Sequence, residues 1–159
     1  MSSLPSLGPR GEGWVAIQGV LLVAIFVGGI AEGSPPWAAW TAASVVGAVL
    51  VLGGGVFALL GVLGLGRSLT ALPHPRDDAE LVTTGVYGLV RHPIYGGLVV
   101  AALGYGLVMQ APVTAVAGSL GLLAFFRLKS VREEAWLEKR YAGYEAYRVR
   151  TRRLLPFLY

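Results

Sequence analysis

Two stretches of this chain, residues 33–66 and 92–126, contain no Asp, Glu, Lys or Arg. Runs of that length without charge cannot make the surface of a water-soluble domain, and they point to helices in lipid. Composition agrees: 55% of the residues are hydrophobic and 14% charged, against about 25% charged in soluble domains. Mean hydropathy is +0.64. Between the two stretches sits a polar and aromatic island, residues 79–95, reading AELVTTGVYGLVRHPIY. Ionisable groups where a chain enters a bilayer are costly and usually functional, so a site is expected here.

The absence of cysteine excludes a disulfide framework, a thiol nucleophile and a thiolate metal site. His74 and His92 lack ligand-like spacing, so no metal centre is expected. Residues 1–13 are rich in Ser, Pro and Gly and make a poor signal peptide, with Arg10 alone before the apolar run. Residues 14–31 are apolar apart from one Gln. They suffice for roughly 27 Å of helix at about 1.5 Å per residue, near a hydrocarbon core of about 30 Å. Residues 32–36 read as a turn, because Pro35 and Pro36 cannot continue the helix. Trp37 and Trp40 fall where an aromatic belt would lie. A second helix is predicted from there to about Leu65. Its Gly53-Gly54-Gly55, Gly61, Gly64 and Gly66 follow no strand, so they read as helix-packing positions rather than a phosphate loop.

Residues 67–91 form the one sizeable polar connection. Pro93 then opens a new apolar segment, as proline is tolerated in a helix's first turn. Residues 94–109 and 113–126 are two short apolar runs split at Gln110-Ala111-Pro112. That split predicts a tight helical hairpin in preference to a single helix across Pro112. From Arg127 the chain changes character. Ser130 and Glu133 fit a capping box that would start a new helix. Glu133, Leu137, Tyr141 and Tyr144 share one face of it, giving an amphipathic helix at the membrane interface.

The expected architecture is all-α and polytopic: four transmembrane helices, the last two a tight hairpin, plus a cytoplasmic C-terminal amphipathic helix. Residues 1–159 form a single domain, with two anchoring helices in 1–66 and the polar connection, hairpin and tail in 67–159. With the N-terminus inside, the outer loops, residues 32–36 and 110–112, hold none of the 13 Lys and Arg. That is the positive-inside pattern; it puts both termini and the polar clusters on the cytoplasmic side of an inner membrane. The net charge of +4 then matches anionic membrane lipids, not nucleic acid.

Two polar clusters, residues 87–95 and 129–153, therefore face the same side. In order they read GVY, RHPIY, KSVREEAWL, YAGYEAY and RRLLP. This combination resembles the isoprenylcysteine carboxyl methyltransferase family and, more distantly, the phospholipid N-methyltransferases that share its C-terminal half. The resemblance covers residues from about 79 to 159. It implies methyl transfer from S-adenosylmethionine at the membrane. The cofactor would lie between the connecting loop, the start of the hairpin and a glutamate on the tail. Carried over by position, Glu80, Leu81, Val82, Tyr87, His92, Pro93, Ile94 and Tyr95 would form its pocket, and Glu133 would close it. Lys129 falls at the basic position that faces the acceptor's carboxylate, where eukaryotic members look to have Arg. Tyr141-Ala142-Gly143-Tyr144 stands in place of the Phe-Gly-x-x-Tyr of many members and resembles the shorter bacterial variant.

The residue types suit that ligand. Arg91 and His92 could meet its carboxylate, Glu133 its ammonium or ribose, and Tyr87 or Tyr95 its adenine or sulfonium. A carboxylate acceptor needs no base, whereas an amine acceptor does, and Glu134 is the nearest candidate. Lys129, Arg127 and Glu134 are thus the candidate catalytic residues. The partner is a lipophilic small molecule or lipid that enters sideways from the membrane. Plainer roles exist for each residue: Arg91 and Lys129 as interfacial anchors, the tyrosines as belt aromatics, Glu133 as a cap or an i,i+4 partner of Lys129. These explain the residues singly but not their joint spacing. Two rival functions are a non-catalytic lipid-binding scaffold and a reductase of the sterol-reductase type that binds a nicotinamide dinucleotide phosphate. The methyltransferase reading requires Glu133 to come within reach of the groove beside His92.

Overall fold

A computed structural model describes residues 5, 7–34, 39–74 and 78–156. Pro35, Pro36 and Trp37, on which the predicted turn and part of the aromatic belt rest, lie outside the described residues. Among the described residues five α-helices follow in order: α1 (Glu12–Glu32), α2 (Ala42–Leu65), α3 (Pro93–Val108), α4 (Ser119–Arg140) and α5 (Tyr144–Arg150). Short 3₁₀ turns sit at Gly66–Ser68 and Gly85–Gly88, and a π-helical turn, Thr114–Gly118, leads into α4. Among the described residues no strand forms, and the extended pairing is an isolated bridge between Val90 and Arg152.

Three segments, Glu12–Glu32, Ala42–Ser68 and Thr114–Arg140, are long and apolar enough to cross a membrane, and Pro93–Val108 is a shorter apolar helix. Large apolar side chains, among them Val20, Val23 and Phe26 of α1 and Val49, Leu52 and Leu63 of α2, are exposed along their lengths. Such continuous apolar surface is what lipid covers. The chain is an all-helical integral membrane protein.

α2 and α3 pack antiparallel along a glycine seam. Gly47 faces Gly104 and Gly54 faces Gly97; a Cβ at any of the four would lie 2.5–2.6 Å from the opposite carbonyl oxygen. Gly61 continues the seven-residue spacing and packs under Pro93 and Ile94. Without side chains between them the two backbones approach closely, which is how helices associate where no hydrophobic force separates protein from solvent. Within the predicted packing triple, only Gly54 serves this purpose. A Cβ at Gly53 or Gly55 would meet nothing within 4 Å.

The hairpin turns at residues 109–111, where Gln110 adopts a left-handed conformation (φ 55°), and helix resumes at Pro112. Glu32, at the end of α1, accepts hydrogen bonds from the backbone N–H of Val113 (2.7 Å) and Thr114 (2.8 Å). These are first-turn donors with no partner inside the helix, so Glu32 caps them from a neighbouring element.

The tail departs from the sequence expectation. Ser130 does not start a helix: α4 runs unbroken through it, and its buried Oγ donates to the carbonyl of Arg127 at 2.9 Å. A serine hydroxyl bonding back one turn is compatible with a continuous helix, so the capping-box pattern was satisfied without a break. The break falls instead at residues 141–143. The short α5 follows, with Tyr144 and Tyr147 buried. The chain then runs parallel to residues 89–92: Arg91 N–H donates to Arg152 O (2.8 Å) and His92 N–H to Arg153 O (2.9 Å), while Arg152 N–H donates to Leu89 O (3.1 Å). Gly96 makes room for this, since a Cβ there would collide with the carbonyl of Leu154.

Candidate active site

Where α1, the end of α2, the start of α3 and the lower half of α4 converge, they line an open-sided cavity of about 310 Å³. Residues 68–73 and 79–82 and the tyrosines of the tail complete its wall. Ten of the predicted residues line it: Glu80, Leu81, Val82, Tyr87, Arg91, His92, Ile94, Tyr95, Lys129 and Glu133.

His92 is the N-terminal cap of α3, immediately before Pro93, and that position holds its ring beneath α4. Its Nδ1 lies 3.3 Å from Glu133 Oε2 and its Nε2 lies 3.2 Å from Glu134 Oε1. The meeting of Glu133 with His92 that the sequence reading required is therefore present. Burial opposes a charge on the ring, but hydrogen bonds to both carboxylates and their negative charge outweigh it and raise the histidine's pKa. Tyr95, one turn on, donates its hydroxyl to Glu133 Oε1 at 2.8 Å. Its ring stacks between those of His92 (5.4 Å) and Phe126 (4.3 Å).

Lys129 reaches the cavity from α4. Its Nζ donates to Gln18 Oε1 on α1 (2.7 Å) and to the carbonyl of Ala71 (3.0 Å), and lies 5.0 Å from the centroid of the Tyr95 ring. The i,i+4 pair with Glu133 considered from sequence is not made, because Glu133 is engaged by His92 and Tyr95.

Three predicted residues lie off the cavity. Pro93 is buried against Gly61 and serves as helix opener. Arg127 is exposed on another face of α4. Glu134 points away from the cavity, toward Arg91 Nε (2.9 Å), His92 Nε2 (3.2 Å) and Arg153 Nη2 (3.0 Å). A carboxylate held by two guanidinium groups and an imidazole is a poor proton acceptor. Arg91 is likewise committed. Beyond Glu134, its Nη1 donates to the carbonyls of Arg148 (2.9 Å) and Thr151, which ties the tail to the start of α3.

Sequence reasoning missed Gln18, Tyr147 and the run from Ser68 to Pro73 as cavity wall. Gln18 had a signal, being the sole polar residue in a run of apolar ones; the others had none. Leu137, Tyr141 and Tyr144, expected on an interfacial face, turn to the cavity. Tyr141 donates to Ala79 O (2.6 Å) and Tyr147 to Tyr87 O (2.8 Å), which fastens the tail over the loop. Burial pushes the Tyr147 hydroxyl up to about 12, so it stays a donor at neutral pH. The buried hydroxyl of Tyr144 has no partner among the described residues, an unmet donor on the cavity wall.

The wall thus offers aromatic faces, the carboxylates of Glu80 and Glu133, and a buried ammonium. That donor set fits a ligand carrying an aromatic base, hydroxyls and both signs of charge, as S-adenosylmethionine does.

Residues 42–143 match the family model described as phospholipid methyltransferase. The chain is similar to a probable protein-S-isoprenylcysteine O-methyltransferase of Oryza sativa subsp. indica, with 37% identity over 118 residues, covering 72% of this chain and 62% of the relative. It is also similar to protein-S-isoprenylcysteine O-methyltransferase B of Arabidopsis thaliana, at 29% over 115 residues, covering 70% and 58% of the two. The chain spans about three fifths of the length of these relatives. Its fold matches the solved structure of a eukaryotic intramembrane Ras methyltransferase, an isoprenylcysteine carboxyl methyltransferase. The TM-score is 0.66 at 21% identity, over 90% of this chain and 53% of the other.

Proposed function

The chain belongs to the phospholipid methyltransferase family, among relatives named for isoprenylcysteine carboxyl methylation, and from that premise we propose that it transfers a methyl group from S-adenosylmethionine to the carboxylate of a lipophilic, isoprenylcysteine-type acceptor. The observation that carries this reading is the joining of Glu133 to His92 and Tyr95 along a cavity whose wall also presents the Lys129 ammonium.

When bound, S-adenosylmethionine supplies an electrophilic methyl carbon on a positively charged sulfur. The Tyr87 and Tyr95 faces are suited to cover adenine or sulfonium, Glu133 to meet ammonium or ribose, and the backbone of residues 80–82 to read the adenine edge. Lys129 is suited to hold the acceptor carboxylate. A carboxylate is already nucleophilic at neutral pH, so the role of Lys129 would be to hold it in line with the methyl group that bound S-adenosylmethionine would supply. No proton moves, so the commitment of Glu134 to its cations costs the reaction nothing. Alignment and exclusion of water are then the main contributions of the protein.

The same reading extends to the surroundings. α1, α2, α3 and α4 act as four spans, with α3 completing its crossing through the segments at either end. Both termini and the cavity face the cytoplasm from an inner membrane, and the acceptor enters sideways from the inner leaflet. Residues 1–159 work as one domain.

Isothermal titration of the detergent-purified chain with S-adenosylmethionine is the direct test. Saturable binding that is lost in Glu133→Ala and weakened in His92→Ala is expected. Labelled methyl transfer to a farnesylated cysteine should then yield a base-labile ester. Absence of cofactor binding would leave the scaffold reading in its place.

A further inference from the structure

Lys129 is a buried ammonium with no carboxylate at ion-pairing distance among the described residues. Isolated charges in such surroundings are strongly disfavoured unless something compensates them. Its hydrogen-bond partners and the ring beside it are neutral, namely the side-chain oxygen of Gln18, the carbonyl of Ala71 and the face of Tyr95, while the charge of Glu133 acts on it only from beyond ion-pairing distance. Glu133, one helical turn away and the obvious counter-ion, is turned toward His92 and Tyr95 instead. The two oxygens satisfy two of the three ammonium protons without cancelling the charge. Gln18 stands on α1, a helix otherwise apolar from Trp14 to Ala31, and it too lines the cavity.

We propose that Gln18 is a positioning residue that sets acceptor specificity: its neutral amide fixes the Lys129 ammonium at the cavity wall while leaving the charge free for a carboxylate-bearing acceptor. This rests on the methyl-transfer reading above and assigns α1 a part in the site beyond anchoring. A carboxylate at position 18 would hold the ammonium equally well and neutralise it. An apolar side chain would leave its charge but release it to swing toward Glu133. The two substitutions therefore separate holding from neutralising.

The test uses the full chain in detergent, with wild type, Gln18→Glu and Gln18→Met. Unfolding temperature, Kd for S-adenosylmethionine, and KM and kcat for a farnesylated cysteine with a free carboxylate are measured. Gln18→Glu is expected to raise the unfolding temperature by pairing with Lys129, yet to raise acceptor KM by about tenfold or more, with cofactor Kd changed by less than about twofold. Gln18→Met should lower the unfolding temperature and raise acceptor KM by a smaller factor. A stabilised variant that is worse with its acceptor is not what a merely structural role produces. Unchanged acceptor KM in Gln18→Glu would overturn the inference. So would a matching rise in cofactor Kd, which would mean that the ammonium serves the cofactor's carboxylate. A wild type that binds cofactor but methylates no carboxylate would sink the methyl-transfer reading itself, a result distinct from either.

Discussion

The α2–α3 seam and the cluster around Glu134 hold the same helix by opposite means. Along the seam there is almost nothing to bond: glycines meet across helices, and attraction comes from backbones in close contact. At the start of α3, Glu134 gathers Arg91, His92 and Arg153 in a space from which most water is excluded. The seam tolerates no added atom, whereas the cluster tolerates no lost charge. Geometry is thus enforced by sterics along the seam and by electrostatics at the start of α3, and the cavity lies where the two regimes meet.

The sharpest way to break that contrast is Glu134→Ala. It leaves the largely buried Arg91 and the partly exposed Arg153 without their shared counter-ion; removing one partner of a fully buried group costs about 3–5 kcal/mol, which is the upper bound here. Thermal unfolding should show that loss, and limited proteolysis should show the tail released from residues 89–92. Intact tail protection in this variant would mean that the backbone pairing alone suffices.

Next in size is the seam. Gly54→Val forces two backbones apart and should destabilise by about 1–3 kcal/mol. Gly53→Ala, one residue away and facing open space, should stay within about 0.5 kcal/mol. Equal effects at the two positions would remove the seam from the account. The smallest effect concerns pH. The pKa of His92 is raised above its ordinary 6.5 by the two carboxylates. Its contribution to stability is therefore fully present below about pH 6.5 and is lost as pH rises through the folded value. Unfolding temperature should decline over that interval on the alkaline side, and His92→Gln should flatten the decline.

Much of this was legible in the sequence for physical reasons. A charge-free run has few options besides a lipid-facing helix, so α1 and α2 could be read almost to the residue. Pro112 forced the hairpin. Glu80, Leu81, Val82, Tyr87, His92, Ile94 and Tyr95 were legible as pocket residues only through the family resemblance, not from their spacing. The tail was harder. Ser130 and Glu133 carry the signature of a helix start, but a helix already under way satisfies Ser130 equally well, and local pattern alone does not distinguish the two. The consecutive glutamates look alike in the sequence as site residues, though adjacent helical positions point about 100° apart and meet different neighbours. Glu133 joined the cavity and Glu134 the cations.

What the sequence by itself determined is the inventory: which segments enter lipid, and which few polar residues exist to do chemistry. Lipid removes the alternatives to helix and leaves few places for charge. What only the tertiary structure decided is the pairing of those residues. Whether Lys129 meets Glu133 or Gln18, and whether Arg91 faces a ligand or Glu134, depends on how helices distant in the chain rotate against one another. That rotation is set by contacts such as Gly54 on Gly97 and Leu154 on Gly96, which sum over the whole bundle and leave no mark on any short stretch of residues.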